Sequence, residues 1–162
     1  MSTQPPDFHA GDIPTDARIA IAAARFNAPI VDELIASCRR RLKELNFASE
    51  RIELHRVPGA FELPLAAKLM ADSGHFAAVI CLGAVIRGDT PHFDYVAGEC
   101  ARGIQDVSLA TSIPIIFGVL TTDTEEQARQ RIGGAHGHAG ERAAEAALEM
   151  IALAAKVSAI KG

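Results

Sequence analysis

The chain has 162 residues, 49% apolar and 22% charged, and its 16 basic against 20 acidic side chains leave a formal net charge of -4. One domain is expected at this length, large enough to bury a core without disulfides or metals. The acidic balance excludes the basic field that binds nucleic-acid backbones, and no apolar run approaches the ~20 residues of a membrane span, so neither is an expected partner.

Residues 1–16 are polar and rich in Pro, Gly and Asp, which predicts a mobile arm that adds little to the core. MSTQPPDFHAGDIP has neither the basic start nor the apolar stretch of a secretion signal, so a cytoplasmic protein is expected. ARIAIAAARF (17–26) contains a first apolar run of strand length. After it, Pro29 suits a first helical turn, and Val31, Leu34, Ile35, Cys38, Leu42 and Leu45 recur at helical spacing. Arg39, Arg40 and Arg41 fall on the opposite, charged face, where a solvated surface is the ordinary reading.

The alternation then repeats. RIELHRV (51–57) reads as a second strand, and ELPLAAKLMADSG (62–74) as a helix closed by Gly74, suited to a left-handed cap. FAAVICLGAVI (76–86) is a continuous apolar run, the mark of a strand buried on both faces, and Phe93–Leu109 is expected to form the next helix. IPIIFGVLT (113–121) is a fourth such strand. A short polar helix over Thr124–Arg131, a Gly- and His-rich connector GGAHGHAG (133–140) and an Ala-rich helix over Glu141–Lys156 complete the chain. These elements predict an α/β fold: a three-layer α/β/α sandwich around a four-stranded parallel sheet, doubly wound and flavodoxin-like. It occupies 17–157 as a single domain, leaving 158–162 as a tail.

In an open parallel sheet, ligands bind beyond the carboxyl ends of the strands. The segments there are Arg25-Phe26-Asn27, Pro58-Gly59-Ala60-Phe61-Glu62, Arg87-Gly88-Asp89-Thr90-Pro91-His92 and the region near Phe117. Phe26 and Phe61 are two of only 7 Phe in the chain, and each ring can either stack on a planar heterocycle or plug the edge of the core. GAVIRGDT (83–90) approaches the phosphate-loop pattern, but Asp89 stands at the lysine position and would repel nucleotide phosphates. What remains is a turn at Gly88–Thr90 whose backbone N–H groups, at a helix start, can hold one small anion. His92 follows directly, and an imidazole can give and accept protons at neutral pH, as proton transfer requires. His136 and His138 form an H-x-H pair without further ligands spaced around it, and the three cysteines, Cys38, Cys81 and Cys100, lack metal or redox spacing. No metal site is expected.

In RFN (25–27), VPGAFELP (57–64), GAVIRGDTPHFDYV (83–96), IPIIFGVLTT (113–122) and EEQARQR (125–131), the chain resembles the lumazine synthase family. Order and spacing agree over essentially all of 17–157. The resemblance implies a transferase of riboflavin biosynthesis. It would condense 5-amino-6-(D-ribitylamino)uracil with 3,4-dihydroxy-2-butanone 4-phosphate to 6,7-dimethyl-8-ribityllumazine, releasing phosphate and water, without metal or organic cofactor. Position by position, it implies that Phe26 stacks on the pyrimidine, with Asn27 near the ribityl chain. Ala60, Phe61 and Glu62 would bind through backbone groups and the ribityl hydroxyls, and Ala84, Val85 and Ile86 would line the ring pocket. Gly88, Asp89, Thr90 and Arg131 would hold the butanone phosphate, and His92 would transfer protons. Phe117 and Arg131 would be contributed by a neighbouring subunit.

The resemblance also implies homopentamers, in some members twelve of them forming an icosahedral shell, and association with riboflavin synthase. Two departures stand out. GGAHGHAG has none of the lysines common in the family, so Arg131 is expected to bear the phosphate charge with less help, a part of which His136 or His138 can replace when protonated. GDTP places Asp89 and Pro91 where small or hydroxyl residues are common, so the Asp89 carboxylate is expected to point away from the phosphate. Two other readings compete: a nonenzymatic lumazine- or flavin-binding protein of the same fold, which would need neither His92 nor Arg131, and a flavodoxin-like regulatory domain. The latter lacks an acidic pocket where Ala22, Ala23 and Ala24 lead into Arg25.

Overall fold

Four parallel strands form the centre of the molecule, β1 (Ile19–Ala24), β2 (Ile52–Val57), β3 (Ala78–Ile86) and β4 (Ile115–Thr122), in the order β2-β1-β3-β4. The computed structural model describes residues 4–9 and 11–160. Of the expected arm and tail, residues 1–3, 10, 161 and 162 lie outside the described residues. Strand partners run in register from Ile19 beside Ile52 and Ala78 to Ile86 beside Thr122. Helices α1 (Ala28–Glu44), α2 (Leu63–Asp72), α3 (His92–Thr111), α4 (Glu125–Arg129) and α5 (Ala139–Ile160) follow in chain order.

Side-chain alternation divides the interior in two, because successive strand residues point to opposite faces of a sheet. Ile19, Ile21, Ala23, Ile80, Leu82 and Ala84 pack with Val31, Leu34, Cys38 and Leu42 of α1 and Ala144, Ala147 and Leu148 of α5. Ala20, Ala22, Val79 and Cys81 face Leu63 and Ala67 of α2 and Cys100 and Ile104 of α3. Both faces of β1 and β3 are therefore dry, which is why these strands read as unbroken apolar runs. Small residues set the layer spacing. A Cβ on Gly103 of α3 would lie 2.8 Å from Pro64 of α2, so the two helices approach closely there.

Three expectations are corrected. The connector after Arg131 is a small antiparallel hairpin, β5 (Ile132–Gly134) with β6 (Gly137–His138), pairing Ile132 with His138. Its strands carry Gly133, at a break in register, and Gly137 at φ of 102° and 73°, a region open to glycine. Helix α5 starts at Ala139 and continues to Ile160, so residues 158–160 are helical, while α4 stops at Arg129 with Thr124 capping it. The N-terminal segment also contributes more to the core than its composition predicts. Phe8 and Ile13 pack against the α1–α5 core, and the His9 N–H donates to Glu149 Oε1 at 2.8 Å. The Arg51 guanidinium, 4.2 Å from the Phe47 ring centre, donates to the carbonyls of Pro14, Thr15 and Ala17.

Candidate active site

Three strand exits converge at the carboxyl edge of the sheet. The chain leaving β1 stays paired with the chain leaving β2: Arg25 N–H donates to Val57 O at 2.8 Å and Phe26 N–H to Pro58 O at 3.1 Å. This fixes the Phe26 backbone while its side chain remains 73% exposed. Asn27 adopts a left-handed conformation (φ 57°, ψ 43°) at the start of α1, and its Nδ2 donates to Ala84 O on β3 at 2.8 Å. The Asn27 amide thus joins two strand exits, a structural task beyond the ligand contact expected of it. In the next exit, Glu62 Oε2 accepts the Gly59 N–H at 2.9 Å, closing a 3₁₀ turn over Ala60–Glu62 that presents the 58% exposed Phe61 ring.

Between these exits lies a cleft of about 620 Å³, lined by Phe26, Asn27, Phe61, Glu62, Ala84, Val85, Ile86 and His92, together with Pro58, Gly59, Tyr95 and Val96. That volume suits a small organic ligand. Its wall is mainly apolar, and aromatic rings at the rim offer flat surfaces for a heterocycle. Tyr95 and Val96 are site residues that strand-exit reasoning misses. They follow His92 at i+3 and i+4, the spacing that places side chains on one helix face, and that spacing was the signal available.

Between Ile86 and His92, Gly88, Asp89 and Thr90 form an exposed turn at the amino end of α3, beside the cleft wall. The His92 N–H lies 3.4 Å from Thr90 Oγ1. Unpaired N–H groups and partial positive charge at a helix start suit an anion there. Arg87 fastens this turn. It donates to Asp123 Oδ1 at 2.8 Å and Asp94 Oδ1 at 3.2 Å, and its guanidinium sits 4.3 Å from the Phe93 ring centre. The Asp123 hydrogen bond, followed by the one to Asp94, raises the Arg87 pKa above its ordinary value.

Other expected site residues lie apart from this cleft. Ala60 is buried beneath it. Phe117 is 44% exposed on β4, an edge strand of the sheet, where it borders a separate groove with Ala139 and Arg142. Arg131 follows α4, and its Nη1 donates to Gln127 O at 2.7 Å. The expectation that His138 assists Arg131 as a cation is corrected by its surroundings. His138 Nδ1 lies 2.8 Å from Ser37 Oγ and 3.2 Å from the Gly140 N–H, and burial lowers its pKa below the ordinary histidine range. Its Nδ1 accepts the Gly140 N–H. His136 does not join it at a metal site, and among the described residues no group of three His, Cys, Asp or Glu side chains could hold a metal ion.

A sequence profile of 6,7-dimethyl-8-ribityllumazine synthase matches residues 16–155, the whole sheet and nearly all of its helices. The chain belongs to this family. Among proteins that carry the same name, one from Desulfatibacillum aliphaticivorans is 53% identical over 137 residues, covering 85% of this chain and 88% of its own length. One from Protochlamydia amoebophila (strain UWE25) is 48% identical over 145 residues, 90% of this chain and 84% of its own. One from Xanthomonas euvesicatoria pv. vesicatoria (strain 85-10) is 47% identical over 146 residues, 90% and 95% respectively. The synthase match spans every strand exit that builds the cleft, as well as Phe117 and Arg131 outside it. Among the described residues of this family member, no helix is long and apolar enough to cross a membrane.

Proposed function

We propose that the chain is a transferase that condenses 5-amino-6-(D-ribitylamino)uracil with 3,4-dihydroxy-2-butanone 4-phosphate, giving 6,7-dimethyl-8-ribityllumazine, phosphate and water. The observation that carries this reading is the convergence of Phe26, Phe61 and His92 on one cleft in a chain of the synthase family. The pyrimidine stacks on Phe26 over the apolar floor of Ala84, Val85 and Ile86, with its ribityl chain along Asn27 and the Ala60–Glu62 turn. The phosphate of the second substrate sits on the Gly88–Thr90 turn, with Arg131 supplying countercharge. The substrate's 5-amino group attacks the ketone and loses water to form an imine. Phosphate then leaves by elimination, and the substrate's ribitylamino nitrogen adds to the second carbonyl, whose oxygen departs as a second water as the ring closes. The nucleophile belongs to the substrate, so no protein hydroxyl or thiol has to be activated. His92, at the cleft wall, moves the protons. Holding two reactants in one geometry can lower a barrier by ~7–11 kcal/mol.

The separation of Phe117 and Arg131 from the cleft within one chain supports a site completed by a neighbouring subunit, hence a homopentamer as the working unit. The pentamer as the minimum unit of any larger shell, association with riboflavin synthase, a cytoplasmic location, and 17–157 as the functional domain complete the reading. The test is lumazine formation from the two substrates against the slow uncatalysed background. Saturable acceleration is expected. Tight lumazine binding without acceleration would transfer the protein to the nonenzymatic binding class.

A further inference from the structure

We propose that His138 is a positioning residue for Arg131, holding the β5–β6 hairpin to α1 through Nδ1 and so setting where the phosphate-binding arginine stands. The inference rests on the synthase reading for Arg131 alone; the fastening itself stands on geometry.

The proton arrangement follows from the partners. A backbone N–H can only donate, so the Gly140 N–H at 3.2 Å requires a lone pair on His138 Nδ1. Ser37 Oγ, 2.8 Å from the same nitrogen, must then direct its one proton there and not to Leu34 O at 3.3 Å, or two lone pairs would face each other. The ring is therefore neutral and protonated at Nε2. Ser37 is 1% exposed and belongs to α1, so the anchor point is rigid.

From this anchor the path to Arg131 is short. Ile132 pairs with His138, and the Ala139 N–H donates to Arg131 O at 2.8 Å. The His136 N–H donates to Gln130 O at 2.9 Å, so the backbone is held on both sides of the arginine. Gly140 allows the close approach, since a Cβ there would lie 2.0 Å from Ser37 Oγ and 2.5 Å from Leu34 O.

Protonating Nδ1 would remove the acceptor and break both bonds at once. Glu33 and Arg40 on α1 and Glu141 and Arg142 on α5 are the charges around the ring; the acids favour its protonation, the arginines oppose it, and burial opposes it most. The fold thus binds the neutral ring better than the unfolded chain does. The fastening is complete above the ordinary histidine value of ~6.5 and is lost as pH falls through the folded ring's pKa, which lies below it.

The experiment compares wild type with Ser37→Ala, His138→Ala and His138→Asn between pH 5.5 and 8. Losing one or both bonds is expected to raise KM for the butanone phosphate roughly three- to tenfold at pH 7.5, with KM for the pyrimidine unchanged. An Asn amide oxygen can stand near Nδ1 and accept both hydrogens, so His138→Asn is expected to restore the wild-type KM and to flatten its rise in acid. Because the two proteins differ at residue 138 alone, the difference between the two profiles belongs to His138. An unchanged KM in His138→Ala overturns the proposal, as does an acid rise in His138→Asn equal to wild type; if His138→Ala does not fold, the Asn comparison decides. Binding of inorganic phosphate, followed by calorimetry, separates the two readings. A wild type that makes no lumazine but binds phosphate more tightly than Ser37→Ala refutes the synthase reading and keeps the fastening. A wild type that makes lumazine and matches Ser37→Ala in phosphate binding refutes the fastening alone.

Discussion

Asn27 and Ala84 tie the exit of the first strand to the end of the third: the Asn27 side-chain amide donates to the Ala84 carbonyl at 2.8 Å, from a backbone held at φ 57°. Both residues line the cleft, so the contact that shapes the site also secures the sheet edge. Replacing Asn27 by Ala removes a hydrogen bond of about 1 kcal/mol and leaves, in the left-handed region, a Cβ that costs roughly 1–2 kcal/mol relative to Gly and no longer has the Asn amide to hold it there. Asn27→Gly loses the bond but not the conformation. Urea unfolding is expected to rank wild type above Asn27→Gly and Asn27→Gly above Asn27→Ala; equal stability of the two variants would refute the strain component.

Phe26 is a surface aromatic without a structural load. Phe26→Ala is expected to change unfolding stability by no more than about 0.5 kcal/mol, as for other exposed positions. Its KM for the ribitylaminouracil should rise roughly three- to tenfold, the value of an aromatic pair. Unaltered pyrimidine binding would refute stacking.

For His92→Ala, kcat is expected to fall by about a hundredfold or more while the pyrimidine still binds, the pattern of a lost acid–base group. Pre-steady-state binding of the pyrimidine checks the distinction. Collapse of binding with intact turnover at saturation would make His92 a structural residue.

Arg131→Ala removes the positive charge from a phosphate subsite. KM for the butanone phosphate should increase about tenfold to a hundredfold, as for other hydrogen bonds to charged groups, and added salt should weaken the wild type more than the variant. Equal salt sensitivity would show that Arg131 does not meet the phosphate.

The three thiols should be silent in the folded protein. Burial pushes the Cys38 pKa up to about 12 and that of Cys100 to about 11, and raises Cys81 as well, so the reactive thiolate is scarce at pH 8. A chromogenic disulfide reagent is expected to label none of them until denaturant is added, and then all 3. Rapid labelling of the native protein would contradict the packing of both core faces.

The sheet was legible because strands dry on both faces must be apolar throughout, as in β3, and because α1 repeats its apolar residues at helical spacing. The cleft was legible for a topological reason: parallel strands all deliver their exits to one edge, which brings Phe26, Phe61 and His92 together. The hairpin was not. Its strands are three and two residues long, too short for a period, and its stabilising partner Ser37 lies 101 positions away. The role of His138 was misread for the same reason, since nothing local announces a buried neighbour. Phe8 and Ile13 escaped notice because their polar surroundings outweigh two apolar side chains in a composition argument.

Helix α5 closes the face of the fold that α1 opens, and it follows all four strands of the sheet in sequence. Translation therefore completes all four strands, and every wall of the cleft, before the helix that covers their flank emerges from the ribosome. A product ending before residue 139 carries the chemistry-bearing edge intact but leaves Leu34, Leu82 and Leu120 without their α5 neighbours. Exposed apolar surface of that kind recruits chaperones and proteases. Retention of the fold thus depends on a helix whose residues take no part in lining the cleft.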